Sequence, residues 1–372
     1  MRIFKASAPD SDPSASSKKA EVVPEVDYES LTLGPDDFAV IGTNIERSME
    51  SVRPSISYWQ DAWRRLKKNR IAIAVMIYLI IMILGSIIFP IISPFKYDQQ
   101  HWDDIDRDFK FEMFKVCREE GVAGPMPYDE AIQLKGFDKL KAWARGDIKV
   151  HIMGINEVGA DFWTLVWFGG RVSLFIGLVA ALTYFVIGMP YGSISGLIGG
   201  RVDNIMMRAV EVINGIPYMI VVILLMVVMP GGIPTIVIAL AAVGWTGLAR
   251  LVRGQVIQIK EQEYVIAATT MGASRGRIVR RHILPNTLSV VIVNLTMAIP
   301  GAIFTESFLS YIGIGVPQPQ VSWGSLCEMG RSAIFNNPQL LFIPAAFISL
   351  TMLSFNLFGD ALRNVLDPRM RK

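Results

Sequence analysis

The chain has 372 residues, 52% of them hydrophobic and only 19% charged, with a formal net charge of +3. Soluble domains carry about 25% charged residues, and here the charges are bunched, leaving long stretches with almost none. So small a net charge gives no reason to expect nucleic-acid binding, and two cysteines with three scattered histidines support neither a disulfide framework nor a Cys-based zinc site.

Residues 1–57 are polar, with Pro, Ser and Asp early and no apolar stretch after the first charges, so no cleaved signal peptide is expected. Up to about Gly42 they could bury too little apolar surface to offset their ordering cost, and they read as a flexible cytoplasmic tail. Residues 58–70 follow as an amphipathic interfacial helix. Trp59, Trp63 and Leu66 share one face at helical spacing, and basic residues take the other. A plain extension of the next helix is the alternative.

The first long apolar run, Ile71–Ile92, is broken only by Tyr78, Gly85, Ser86 and Pro90. A helix of that length rises roughly 33 Å, enough to cross the hydrocarbon core. Residues 71–93 are therefore the first membrane helix. Next comes an external region, residues 94–168, rich in charge and aromatics such as Trp102, Phe109, Phe111, Phe114, Tyr128, Phe137 and Trp143. Asp103–Glu119 and Tyr128–Arg145 each read as short amphipathic helices, with Gly121 to Pro125 as the break. Cys117 and Cys327 both fall on this outer side, where a bridge is chemically permitted; two free thiols are the expectation, because nothing brings the positions together.

Five further spans follow in residues 169–372: Val172–Ile198, Met207–Met229, Ile233–Leu251, Leu288–Ile312 and Leu340–Leu362. Interior Gly and Pro residues, such as Gly188, Pro190, Gly215, Pro217, Pro300 and Gly301, are tolerated because neighbouring helices re-satisfy freed backbone groups and small residues permit close packing. Gly192 and Gly196 read as such packing glycines. Pro230-Gly231-Gly232 joins the third and fourth spans as a hairpin. A single re-entrant element there would leave four crossings. With six, the basic groups Arg64 to Arg70, Arg253 to Arg281 and Arg363 to Lys372 share one side, the cytoplasm, so both termini are cytoplasmic. Arg201 lies in a short turn on that same side.

No nucleotide-binding loop or zinc-helix motif occurs, and catalysis by this chain is not expected. The informative stretch is the basic cytoplasmic loop, residues 255–285. Glu261 and Glu263 sit where acids favour a helix start. Ala267 and Ala268 offer a small-residue surface, and Gly272 can take the left-handed conformation that stops a helix. A second basic helix then runs to Pro285, which starts the next span. A short helix held between two membrane helices suits a lever for a cytoplasmic partner; an ordinary basic loop is the plainer reading. Within the spans, Arg208 and Glu211 lie one turn apart and either pair or serve conduction. Glu306, with Ser307 and Ser310, either faces the pathway or packs through hydrogen bonds.

The loop resembles the EAA loop of ABC-importer membrane subunits: Ala267-Ala268, Gly272 and Leu284-Pro285 stand at that loop's spacing. Ile266 occupies its usual Glu position and His282 its Ile position. Tyr58 to Asn69, Gly170-Arg171-Val172-Ser173-Leu174, Phe304 to Gly315, Ser322-Trp323-Gly324 and Phe355 to Pro368 are similar to the C-type subunit of oligopeptide/dipeptide permeases. The family's external Gly-Thr-Asp-x-x-Gly-Arg-Asp block is eroded here to Gly154-Ile155-Asn156-Glu157-Val158-Gly159-Ala160-Asp161, beside an apparent insertion at about Gln99–Val150.

The resemblance implies an all-α membrane protein of type I importer fold with about six membrane helices. It also implies ATPase coupling through Glu263, Tyr264, Ala267, Ala268, Gly272, Ala273, Leu284 and Pro285. The expected partners are a second homologous permease, two ATP-binding subunits holding ATP and Mg2+, an external peptide-binding protein, a peptide substrate and membrane lipid. Dipeptides, nickel or another small solute are the alternative cargo. An ion-coupled secondary transporter would call for repeated halves and midplane charges, and neither is seen.

Overall fold

The computed structural model describes residues 58–100, 112, 114–118 and 124–366. Expectations for the N-terminal tail, for Trp102, Phe109 and Phe111, for most of Asp103–Glu119 and for the last basic residues lie outside them. Helix α1 (Tyr58–Lys68) and helix α2 (Arg70–Ile92) are separate elements. Asn69 divides them: its backbone is extended and its side chain accepts from the amides of Ile71 and Ala72 at 3.1 and 3.2 Å. That is a helix start and not a plain extension. The expected apolar face of α1 is split. Leu66 is buried near the C-terminal end of the chain, whereas Trp63 is exposed beneath the Lys67 ammonium.

Helix α2 buries Ala72, Val75, Leu79, Met82, Gly85 and Ser86, one stripe at three- and four-residue spacing, and exposes isoleucines around the remainder. An all-round apolar helix with one packed stripe is what lipid contact demands. The external region differs from the sequence expectation in two ways. Lys115–Val116 is a strand, β1, paired antiparallel with β2 (Val150–His151), where the tail of a helix was expected. The amides on either side of β1 are held across this ladder, Phe114 N to Ile152 O at 3.1 Å and Cys117 N to Lys149 O at 2.9 Å, and so are withdrawn from any helix. Tyr128–Arg145 is two helices, α3 (Tyr128–Ala131) and α4 (Gly136–Arg145), ended by left-handed Gly146. Val116, Ala131, Ala142, Ile148 and Val150 give this region a small core of its own. Both cysteines are buried free thiols.

Helix α5 (Phe162–Ile198) starts ten residues before the expected span, because Asp161 caps it, accepting from Thr164 N at 2.8 Å and from the Thr164 hydroxyl at 2.6 Å. The expected span Met207–Met229 is not one helix. Helices α6 (Gly200–Asn214) and α7 (Tyr218–Val228) meet at a bend of 74°. Pro217 lacks an amide hydrogen and pushes Ile216 out of helical backbone, so the break falls there. Helix α8 (Ile233–Lys260) leads into α9 (Glu263–Thr270).

Helix α10 runs unbroken from Arg275 to Tyr311, so Pro285 does not begin a span. A π-turn over Val279–Ile283 widens the helix just ahead of Pro285 and absorbs the missing amide. Helices α11 (Trp323–Ser332) and α12 (Gln339–Leu366) are the last described elements. Among the described residues, five helices are long and apolar enough to cross a membrane, and six spans result if the bent pair counts as one.

The strongest packing is α5 against α8. At Gly188 and Gly196 an added Cβ would stand 2.8 Å from Trp245 O and 2.9 Å from Val256 Cβ, and at Gly192 it would run into Ala249 O. Glycine every fourth residue lets two backbones approach where lipid supplies no hydrophobic drive.

Candidate translocation and coupling sites

The loop after α8 forms a compact projecting turn. Glu261 closes α8, and only Glu263 lies in the first turn of α9. Val265 is buried and anchors α9, while Tyr264, Ile266, Ala267 and Met271 are exposed on it. Gly272 has φ +82°, with Ala273 N bonded to Ala268 O at 3.0 Å, the backbone closure of a glycine-stopped helix. Below it, Tyr264 lies near the His282 ring, and the Asn286 amide donates to the Tyr264 hydroxyl at 3.4 Å. Leu284 is partly buried against the core and Pro285 is exposed. The eight residues expected to couple therefore gather around one short, exposed helix and the first part of α10.

A bidentate ion pair braces the same end of the bundle. Arg253 on α8 donates to Asp203 on α6 through Nε and Nη2, both at 2.6 Å, and the Ser195 hydroxyl of α5 donates to the same carboxylate. Three helices are thus tied at one carboxylate, geometry that favours arginine over lysine. Sequence reasoning placed Arg253 among the basic loop charges and missed its partner 50 residues away. Arg208 and Glu211 pair with each other at 3.0 Å on an exposed face.

Between α5, α7, α8 and α10 lies a cavity of about 380 Å³, lined by Tyr184, Tyr218, Gly244, Gly247, Asn294, Gly301 and Thr305, with Leu248, Leu295, Ala298 and Ala302. Tyr218 packs against the same cluster as Tyr184, and the Thr305 hydroxyl donates to Gly301 O at 2.9 Å. An added Cβ at Gly244 would fall inside the Tyr184 ring contact. Apart from Gly301, noted as a tolerated helix glycine, and Thr305, within the Phe304 to Gly315 resemblance, none of these lining residues stood out in the sequence.

Glu306 neighbours Thr305 but turns away from the cavity. It is 0% exposed. The hydroxyls of Ser173 and Ser310 donate to it at 2.9 and 2.8 Å, with Ser307 at 3.4 Å. Ser173 also accepts from Trp323 N at 3.2 Å, Ser310 accepts from Val316 N at 3.3 Å, and Trp323 Nε1 donates to Val166 O at 2.9 Å. The carboxyl group is thus the centre of a closed network joining α5, α10 and the start of α11. Beside it, burial and then the Glu306 carboxylate push the Cys327 thiol up to about 12. The eroded block folds as a cap: Asn156 accepts from Ala160 N at 2.8 Å, and buried Asp161 bonds to His151 Nδ1 at 2.9 Å, with His151 stacked on Phe95.

Residues 188–372 match the family described as binding-protein-dependent transport system inner membrane component, and residues 57–110 match the N-terminal TM domain of oligopeptide transport permease C. The dipeptide transport system permease protein DppC of Bacillus subtilis is 43% identical over 91% of this chain and 94% of its own length. The chain belongs to the oligopeptide/dipeptide transport permease family. The oligopeptide transport system permease protein OppC of the same organism is 40% identical over 86% of this chain and 92% of its own length. Among solved structures, the MetNI methionine ABC transporter in an inward-facing conformation aligns with 54% of this chain and 96% of that one, at 21% identity and a TM-score of 0.45. Family membership and the apolar helices together make this a multi-pass membrane permease.

Proposed function

We infer that this permease is the transmembrane subunit of an ATP-driven importer carrying oligopeptides across a bacterial cytoplasmic membrane. The observation that supports this most is near-full-length similarity to two peptide permeases, extending through the loop between α8 and α10. Its working partners are a second, homologous permease, two ATP-binding subunits and an external peptide-binding protein. ATP and Mg2+ act in the ATP-binding subunits. The basic residues flanking α2 and α9 argue for both termini and the α9 lever lying in the cytoplasm.

Closure of the ATP-binding subunits moves α9, whose exposed Tyr264, Ile266, Ala267 and Met271 form the docking face. Because α9 is joined to α8 and α10 at either end, that motion reaches the cavity helices directly. The identity of 43% to a dipeptide permease favours dipeptides as a second cargo reading.

Gly272→Asp is the test. A side chain at φ +82° strains the lever, so uptake and ATP-binding-subunit association fall while the protein remains in the membrane; full transport removes the lever assignment. Purification without added partners separates the larger alternatives: two ATP-binding chains and a second permease are expected, and a lone homodimer opposes the reading.

A further inference from the structure

The cavity between α5, α7, α8 and α10 has an unusual lining for a space near the middle of membrane helices. Its polar groups are the hydroxyls of Tyr184, Tyr218 and Thr305 and the Asn294 carboxamide, and none of its described lining residues is charged. Asn294 makes no side-chain hydrogen bond among the described residues, so its donor and acceptor are free to meet something else. Two glycines point the same way. At Gly247 and Gly301 an added Cβ would meet nothing within 4 Å. Glycine in a helix interior costs about 1 kcal/mol relative to alanine, and here no packing within this chain requires it. What these positions preserve is open volume.

A peptide entering such a space loses water from every backbone amide, which is costly unless each group finds a new partner. Hydroxyls and a carboxamide offer both donors and acceptors. A fixed charge would instead hold one class of peptide side chain and repel the opposite class. Resting on the import reading above, we propose that this cavity is a binding station for the peptide backbone. It is neutral by construction, so passage is indifferent to the charge of the cargo's side chains. Asn294 is its principal contact, and Gly247 and Gly301 keep it wide enough for an extended chain.

The test uses the complete transporter with its external binding protein and three labelled tripeptides differing only in a central Lys, Ala or Glu. At saturating peptide the wild type is expected to carry all three at comparable rates. Asn294→Asp is expected to raise the Lys-to-Glu rate ratio about tenfold, the scale of one charge pair in a partly buried site, and Asn294→Lys to lower it. Ratios unchanged in both variants, with uptake intact, overturn the proposal. Gly301→Leu is expected to block uptake while the second permease still co-purifies; loss of that subunit would make the cavity an interface and also overturn it. Failure of the wild type to carry any of the tripeptides would refute peptide import itself, a result distinct from either.

Discussion

Glu306 separates two roles that a buried carboxyl group in a membrane helix can play, and its surroundings allow the cost of removing it to be worked out. Glu306→Ala takes away the acceptor of two firm hydrogen bonds, from Ser173 and Ser310, and a weaker one from Ser307. Only the bond from Ser173 crosses between helices, where such bonds contribute about 0.6–1.7 kcal/mol; the bond from Ser310 lies within α10 and contributes about 1 kcal/mol, so the two amount to about 1–3 kcal/mol. Both hydroxyls are then left without an acceptor in a fully buried site, which adds on the order of 1 kcal/mol or more. Glu306→Gln keeps the volume and one carbonyl acceptor and should lose about half as much.

The assay is thermal inactivation of the purified complex alongside peptide uptake. A loss of this size lowers the midpoint of Glu306→Ala by on the order of 5 °C, with Glu306→Gln intermediate and active in transport. An inactive Glu306→Gln protein of unchanged stability would refute the brace and return the carboxyl group to the transport pathway.

Gly192→Leu should prevent assembly or leave an unstable permease, since its Cβ would run into Ala249 O, and overpacking by a whole side chain costs about 3 kcal/mol or more; membrane yield and melting of the complex report it. Arg253→Met takes the guanidinium from Asp203 and leaves it the Ser195 hydroxyl as donor, so the complex should lose about 2–3 kcal/mol, an unpaired buried charge being the main cost. Asp203→Asn in the same background should recover part of that, and no recovery would argue against the pair. Cys327 and Cys117 are buried, and burial raises the Cys327 thiol to about 12; a membrane-impermeant maleimide should label neither in the folded transporter and both after denaturation.

The membrane helices could be read from sequence because a charge-free apolar run of about 20 residues suits a bilayer and little else. Their boundaries were less legible. Asp161 starts α5 ahead of the apolar run through a cap that only hydrogen bonding reveals, and the π-turn before Pro285 lets α10 continue where proline usually marks an end. Two-residue strands such as Lys115–Val116 are too short to show alternation at all. At the candidate sites, Gly272 and its neighbours were visible because local spacing sets local geometry. The Glu306 network needed Ser173, 133 residues away, and the cavity needed four helices at once. Contacts assembled by tertiary packing leave no local period to find.

The fit of the Tyr184 ring into the place a side chain at Gly244 would occupy has a consequence for the width of the cavity. The aperture is set by the sum of two positions on two helices, one large and one absent. A larger residue at 244 could be accommodated by a smaller one at 184 with no helix displaced, whereas either change alone would crowd or hollow the cavity. The pair therefore forms an adjustable stop on the proposed station, its width set by compensating exchange while the frame around it stays fixed.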